Sequence, residues 1–197
     1  MDRSFSTAKE YIAYKKQLKA EEEKRSVRKR ILIMSDTHGR SEYAERVLKK
    51  VGKLDHIIHC GDLSGDEDYI RSCAFHYCEC PCTMVAGNND FFGDLPQEET
   101  LMIAGQKIFV THGHRYGVSY EYDRLIEAAK KKGADIVCTG HTHAPYIDRC
   151  GGDLLLINPG SLSLPRMSRD KSYAMLELDE SGFRYAWINY LPEGRMR

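Results

Sequence analysis

Short apolar runs, each closed by a glycine and a polar residue, recur along most of the chain. Ile31-Leu32-Ile33-Met34 shows no polar alternation and reads as a strand buried on both faces. It stops at Ser35, and Asp36 and His38 follow on the loop. Ser41 is placed to cap a helix through about Lys50, with Tyr43, Val47, Leu48 and Val51 on its apolar side and Gly52 closing it. His56-Ile57-Ile58-His59 predicts a second strand, Asp66 to about His76 a helix, and Thr83-Met84-Val85-Ala86 a third strand. This β-α-β-α-β order predicts parallel strands whose following loops share one sheet edge.

The pattern then changes. Leu101-Met102-Ile103 and Lys107-Ile108-Phe109-Val110 flank Ala104-Gly105-Gln106 and predict a hairpin. A helix is expected from about Tyr120 to Lys132, then strands at Asp135–Thr139, Tyr146–Asp148 and Leu154–Ile157. A closing hairpin joins Tyr173–Leu178 to Phe183–Tyr190. Together these predict an α/β fold with two facing sheets and helices outside.

Residues 1 to about 28 differ in kind. They lack Gly and Pro, favour helix by composition, and offer one ragged apolar stripe of Tyr11, Ile12, Tyr14 and Leu18. Residues 1–29 therefore read as a charged helical extension, and 30–197 as the folded domain. Residues 1 to 30 carry ten basic and five acidic side chains, so the rest of a chain of net charge zero is acidic by five. That balance argues against nucleic acid as the partner of the main body. No run approaches the roughly 18 apolar residues of a membrane span, and the charged start has no apolar signal core. A cytoplasmic protein without a membrane partner is expected. Seven cysteines without a secretory context predict reduced thiols.

Five strand-end loops carry Asp36 and His38, Asp62, Asn88, His112, and His141 with His143. Each has a glycine within one residue of a polar side chain able to ligate a metal: Gly39, Gly61, Gly87, Gly113 and Gly140. Imidazole and carboxylate donors suit Mn, Fe, Zn or Ni. Cys78, Cys80 and Cys82 are spaced too tightly for the usual zinc motifs and predict a thiol-rich loop entering the third strand. His56, His59 and His76 read as structural, Cys60 as a buried strand-end thiol, and Arg166 as a surface residue.

These loops, taken in order, resemble the calcineurin-like metallophosphoesterases, and among them the small bacterial and archaeal phosphodiesterases. The matched elements are Asp-x-His at Asp36 and His38, Gly-Asp at Asp62, Gly-Asn at Asn88, His-Gly at His112, and Gly-His-x-His at His141 and His143. The resemblance runs from about Arg30 to Tyr190. It implies a four-layer α/β/β/α sandwich with two divalent metal ions at the sheet edge, manganese first, with nickel, iron or zinc as alternatives. By the same resemblance Asp36, His38 and His143 hold one metal, Asn88, His112 and His141 the other, and Asp62 bridges them. Two carboxylates against two divalent ions and a hydroxide leave the site positive, which suits an anionic ester. The implied reaction is phosphodiester hydrolysis by in-line attack of the bridging hydroxide, with Asp62 and Asn88 in the catalytic machinery and a small phosphodiester as substrate.

The chain departs from the family at one place. Many members have His after the metal-binding Asn, assigned to the leaving group or transition state; here it is Asn89. Asn cannot donate a proton as a general acid. His114 is the replacement suggested by its closeness to His112, and activated diesters are expected to be cleaved better than alkyl monoesters. Two other readings share the fold. One is a non-catalytic interaction scaffold, as in the retromer relative, whose ligand set is incomplete where this one is full. The other is a nuclease-type member. A homo-oligomer is left open.

Overall fold

Alternate residues of the first strand face opposite layers of the molecule. In this computed structural model, which describes residues 9–10, 12–17, 19 and 28–192, Leu32 and Met34 pack outward with Ala44, Val47 and Leu48. Ile31 and Ile33 pack inward with Ile108, Val110, Ile136 and Ile157 of the other sheet. All four residues of the run are fully buried. Full burial of each such side chain is worth roughly 1.5–3 kcal/mol relative to exposure. The first strand is thus held from both sides.

The elements in order are β1 (Lys29–Met34), α1 (Ser41–Val51), β2 (His56–His59), α2 (Glu67–Cys78), β3 (Cys82–Met84), β4 (Glu98–Ile103), β5 (Gln106–Thr111), a 3-10 turn (His114–Tyr116), α3 (Asp123–Lys131), β6 (Ile136–Cys138), β7 (Pro145–Arg149), β8 (Leu155–Pro159), β9 (Lys171–Leu178) and β10 (Arg184–Leu191). One sheet has the order β10-β9-β1-β2-β3 and the other β4-β5-β6-β8-β7. Strands β1, β2 and β3 run parallel, as do β5, β6 and β8. Antiparallel strands β9 and β10 extend the first sheet, and β4 and β7 flank the second. A third apolar cluster joins Phe109, Val137 and Leu156 to Leu125 and Ala129 of α3. The layers are α1 and α2, first sheet, second sheet, α3, which is the expected α/β/β/α sandwich.

Several boundaries differ from expectation, each for a local reason. Ser41 does not cap α1 with its side chain. Its backbone N–H donates to Asp66 Oδ2 at 3.1 Å, so the cap comes from the loop before α2. Helix α2 runs on to Cys78 and stops at Glu79, whose backbone is left-handed. Cys78 therefore ends a helix, Cys80 lies in the loop and Cys82 opens β3, all as free thiols. Strand β3 ends at Met84, and Ala86 N–H turns away to donate to Pro96. Helix α3 begins at Asp123, three residues after the expected start, because Gly117 and the turn after it occupy the chain up to Tyr120. The β4–β5 hairpin turns through Ala104 and Gly105, both at positive φ.

Residues 12–17 are helical, and Ile12 is exposed. Tyr11, Leu18 and the charged stretch 21–27 lie outside the described residues.

Candidate metal centre

Every parallel strand ends at the same edge of the sandwich, and the loops that follow meet there. Their backbone is unusual. Asp36, His38, Asp62, His141 and His143 all have φ between 48 and 69°. Left-handed backbone is uncommon for residues other than glycine and costs on the order of 1–3 kcal/mol each. The surrounding structure must hold them there. Part of that hold is glycine packing: a Cβ at Gly87 would collide with the Asp62 carboxylate, and one at Gly140 with Ser35. The glycines beside these residues allow the loops to touch.

The side chains form two groups that share one carboxylate. In the first, His143 Nε2 is 3.2 Å from Asp36 Oδ1 and 3.2 Å from His38 Nε2. His38 Nε2 lies 3.8 Å from Asp36 Oδ1 and 3.6 Å from Asp62 Oδ2. In the second, Asn88 Oδ1 is 3.1 Å from His112 Nε2 and 2.8 Å from His141 Nδ1. Asp62 Oδ2 is also 3.5 Å from His112 Nε2, so it faces both groups. Asp36, His38, Asp62 and His143 present ligand atoms within 4.8 Å of one another. All seven residues named from the sequence are therefore brought together. His114 stands beside the second group, its ring centroid 5.4 Å from that of His112 and 6.1 Å from that of His141, with Nδ1 buried and unpartnered.

The proton positions favour a cation. His143 Nδ1 is 2.7 Å from the Leu164 carbonyl and His112 Nδ1 is 2.7 Å from the Cys60 carbonyl. A carbonyl only accepts, so each Nδ1 carries its hydrogen and the Nε2 lone pair is left free in the neutral ring. Those lone pairs point at oxygens of Asp36, Asp62 and Asn88. Asp36 Oδ1 is itself buried without a hydrogen-bond partner. Lone pairs aimed at one another repel unless positive charge lies between them, and a nitrogen-and-oxygen donor set of this kind suits a divalent metal.

The titrating groups show the same tension. Burial pushes the Asp36 carboxyl up, but the His143 ring held against it and the imidazole of His112 override burial and hold it below the usual range. Burial pushes His143 down, and Asp36 more than restores it, so its pKa is raised. Burial and the neighbouring histidines lower both His114 and His141.

Other residues position the groups. Asp90 accepts N–H donors from Asp62 at 2.8 Å, Gly87 at 2.8 Å and Ser64 at 2.7 Å. Asn89 binds both oxygens of Asp62, through its backbone N–H at 2.8 Å and its side-chain amide at 2.7 Å. Ser161 and Ser163 both donate to the Asp36 carbonyl. His59, expected to be structural, is fully buried; Gly61 N–H donates to its Nδ1, so its Nε2–H faces Thr37 Oγ1. Asp90, Ser161 and Ser163 are missing from the sequence reading. Their only sequence signal is position: Asp90 follows Asn88-Asn89, and the serines follow β8 on a sixth strand-end loop.

A two-sheet sandwich with an Asp and His cluster at the shared strand edge defines a metallophosphatase-type fold. The chain belongs to the calcineurin-like phosphoesterase superfamily, whose domain model matches residues 30–181. A probable metallophosphoesterase of Bacillus subtilis, YsnB, is 39% identical over 150 residues, 76% of this chain and 84% of that protein. The Escherichia coli phosphodiesterase YfcE is 32% identical over 81 residues, 41% of this chain and 40% of YfcE. The crystal structure of a conserved protein from Streptococcus pneumoniae, described as a predicted phosphoesterase, superposes with a TM-score of 0.67 at 29% identity, covering 84% of this chain and 99% of that one. Among the described residues no helix is long and apolar enough to cross a membrane.

Proposed function

We propose that this chain is a divalent-metal-dependent phosphodiesterase acting on small phosphodiesters. The observation that carries the reading is Asp62 Oδ2, which faces His38 Nε2 at 3.6 Å and His112 Nε2 at 3.5 Å. One carboxylate oxygen between two donor groups is the arrangement a pair of cations needs. On this reading Asp36, His38 and His143 hold one ion, Asn88, His112 and His141 the other, and Asp62 is shared. Bound there, two divalent ions would supply Lewis acidity toward a phosphoryl oxygen and lower the pKa of a water.

The chain's own residues do the positioning. The Leu164 and Cys60 carbonyls fix the tautomers of His143 and His112. Asp90 and Asn89 fix Asp62 from its backbone and its carboxylate. Asn88 contributes a neutral oxygen, so the site keeps positive charge for a phosphate anion. His114, with its pKa lowered, is neutral near pH 7; it can offer one N–H to a leaving oxygen but no ready proton. A chain with Asn89 and a neutral His114 favours leaving groups that depart without an acid.

The test is a substrate panel on metal-stripped protein reloaded with Mn²⁺, Ni²⁺, Fe²⁺ or Zn²⁺. Aryl diesters should turn over at least about tenfold faster than alkyl monoesters in kcat/KM. Comparable rates on both would reject the diesterase assignment, and no hydrolysis with any metal would favour a non-catalytic role.

A further inference from the structure

Beside the shared carboxylate lies a cavity of about 290 Å³ lined by Ser64, Gly65, Glu67, Asn89, Phe91 and Phe92, among others. Asn89 belongs to both places: it lines the cavity, and its amide is 2.7 Å from Asp62 Oδ2. The cavity therefore adjoins the candidate metal centre across Asn89. Its aromatic wall is unusual for a soluble surface. Phe91 is 75% exposed and Phe92 fully so, with ring centroids 6.5 Å apart at 69°. Two open phenyl rings carry no hydroxyl or N–H, so their contribution is a π-face. Glu67 and Asp90 both add carboxylates to the wall, and the Asp90 oxygens already accept backbone N–H groups, which leaves Glu67 for a ligand. Glu67 repels a second phosphate and accepts from an N–H donor.

We propose that this cavity holds the nucleobase of a nucleotide-type phosphodiester, with the base against Phe91 and Phe92 and its N–H edge toward Glu67. The proposal rests on the phosphodiesterase reading for the place of the phosphate and deepens it by naming the substrate class. The two features fit one occupant. A planar ring can stack on one phenyl face and meet the other ring edge-on, and a base edge with amino donors uses the carboxylate. An aliphatic alcohol offers no ring to stack, and a continuing nucleic-acid strand would bring its next phosphate toward Glu67.

Binding tests this independently of turnover. Protein loaded with Mn²⁺ is titrated with adenosine 5′-monophosphate and with ribose 5-phosphate, which has a similar phosphate and sugar but no base. Base stacking on an aromatic side chain corresponds to roughly tenfold or more in affinity. The wild type should bind the nucleotide at least about tenfold more tightly than the sugar phosphate. Phe91→Ala with Phe92→Ala should remove that difference and change sugar phosphate affinity by less than about twofold. Equal affinities in the wild type, or a preference that survives the double substitution, would overturn the proposal. So would a dimer in sedimentation that is lost in the double variant together with unchanged nucleotide binding, which would assign the rings to self-association. A normal base preference in a protein that cleaves no diester would reject only the catalytic reading.

Discussion

Asp90 is not one of the seven donor residues of the centre, yet the geometry assigns it a large share of their placement. Its Oδ2 takes the N–H groups of Asp62 and Gly87, and its Oδ1 takes that of Ser64. These bonds close the loop that holds Asp62 at a φ of 58°. Replacing Asp90 by Ala leaves three N–H donors without a charged acceptor. A hydrogen bond to a charged group is worth roughly 1.5–3 kcal/mol, but the Ser64 bond is exposed and water can replace it, so the net cost is about 2–4 kcal/mol. For a domain of this size that lowers Tm by roughly 4–16 °C. Asp90→Asn can turn its oxygen toward Asp62 and Gly87 and expose only Ser64, so it should cost about 1 kcal/mol. The order wild type, Asn, Ala should appear in calorimetric melting and in Mn²⁺ titration, with the Ala variant weakened about tenfold or more in metal affinity. An Ala variant that melts within about 1 °C of wild type and binds Mn²⁺ normally would refute the clamp.

The loop contacts around glycine are equally exposed to test. Gly87→Ala pushes a methyl into the Asp62 carboxylate and should lower hydrolysis at least about tenfold, measured as kcat/KM; a normal rate would mean the loops are not packed as described. His59 gives a pH prediction. Burial lowers its pKa from 6.5 to about 4. Between those values the unfolded chain binds a proton the folded one does not, so stability falls as pH drops through that window and is regained above about pH 6.5. Urea unfolding at pH 7 and about pH 4.5 should show a steeper loss in wild type than in His59→Gln, which cannot titrate; equal slopes would remove His59 from the account.

Much of the fold was legible because buried parallel strands leave a plain mark. The run at 31–34 is apolar on both faces and fully buried, and Ile57 and Ile58 at the middle of the second strand are fully buried as well. The donor set was legible because ligating side chains occur beside glycines at strand ends, and the reason is now physical: Gly87 and Gly140 sit where a Cβ would strike Asp62 and Ser35. The supporting residues were not legible. Asp90 and Ser161 act through backbone groups distant in sequence, and an Asp or Ser that binds a remote N–H or carbonyl looks in sequence like any loop residue. The cap of α1 failed for the same reason, since Asp66, 25 residues away, supplies the hydrogen bond that the Ser41 side chain was expected to provide.

The central claim is that Asp62 joins two groups of donors into one metal-dependent hydrolytic site. The most direct measurement compares wild type with Asp62→Asn after both are stripped by chelator, reloaded with Mn²⁺ and assayed on bis(p-nitrophenyl) phosphate, with bound metal counted in parallel. The wild type should regain hydrolysis only with metal. The Asn variant should bind less metal and lose at least about a hundredfold in kcat/KM. Hydrolysis by Asp62→Asn at the wild-type rate, or wild-type hydrolysis undiminished by chelation, would contradict the account.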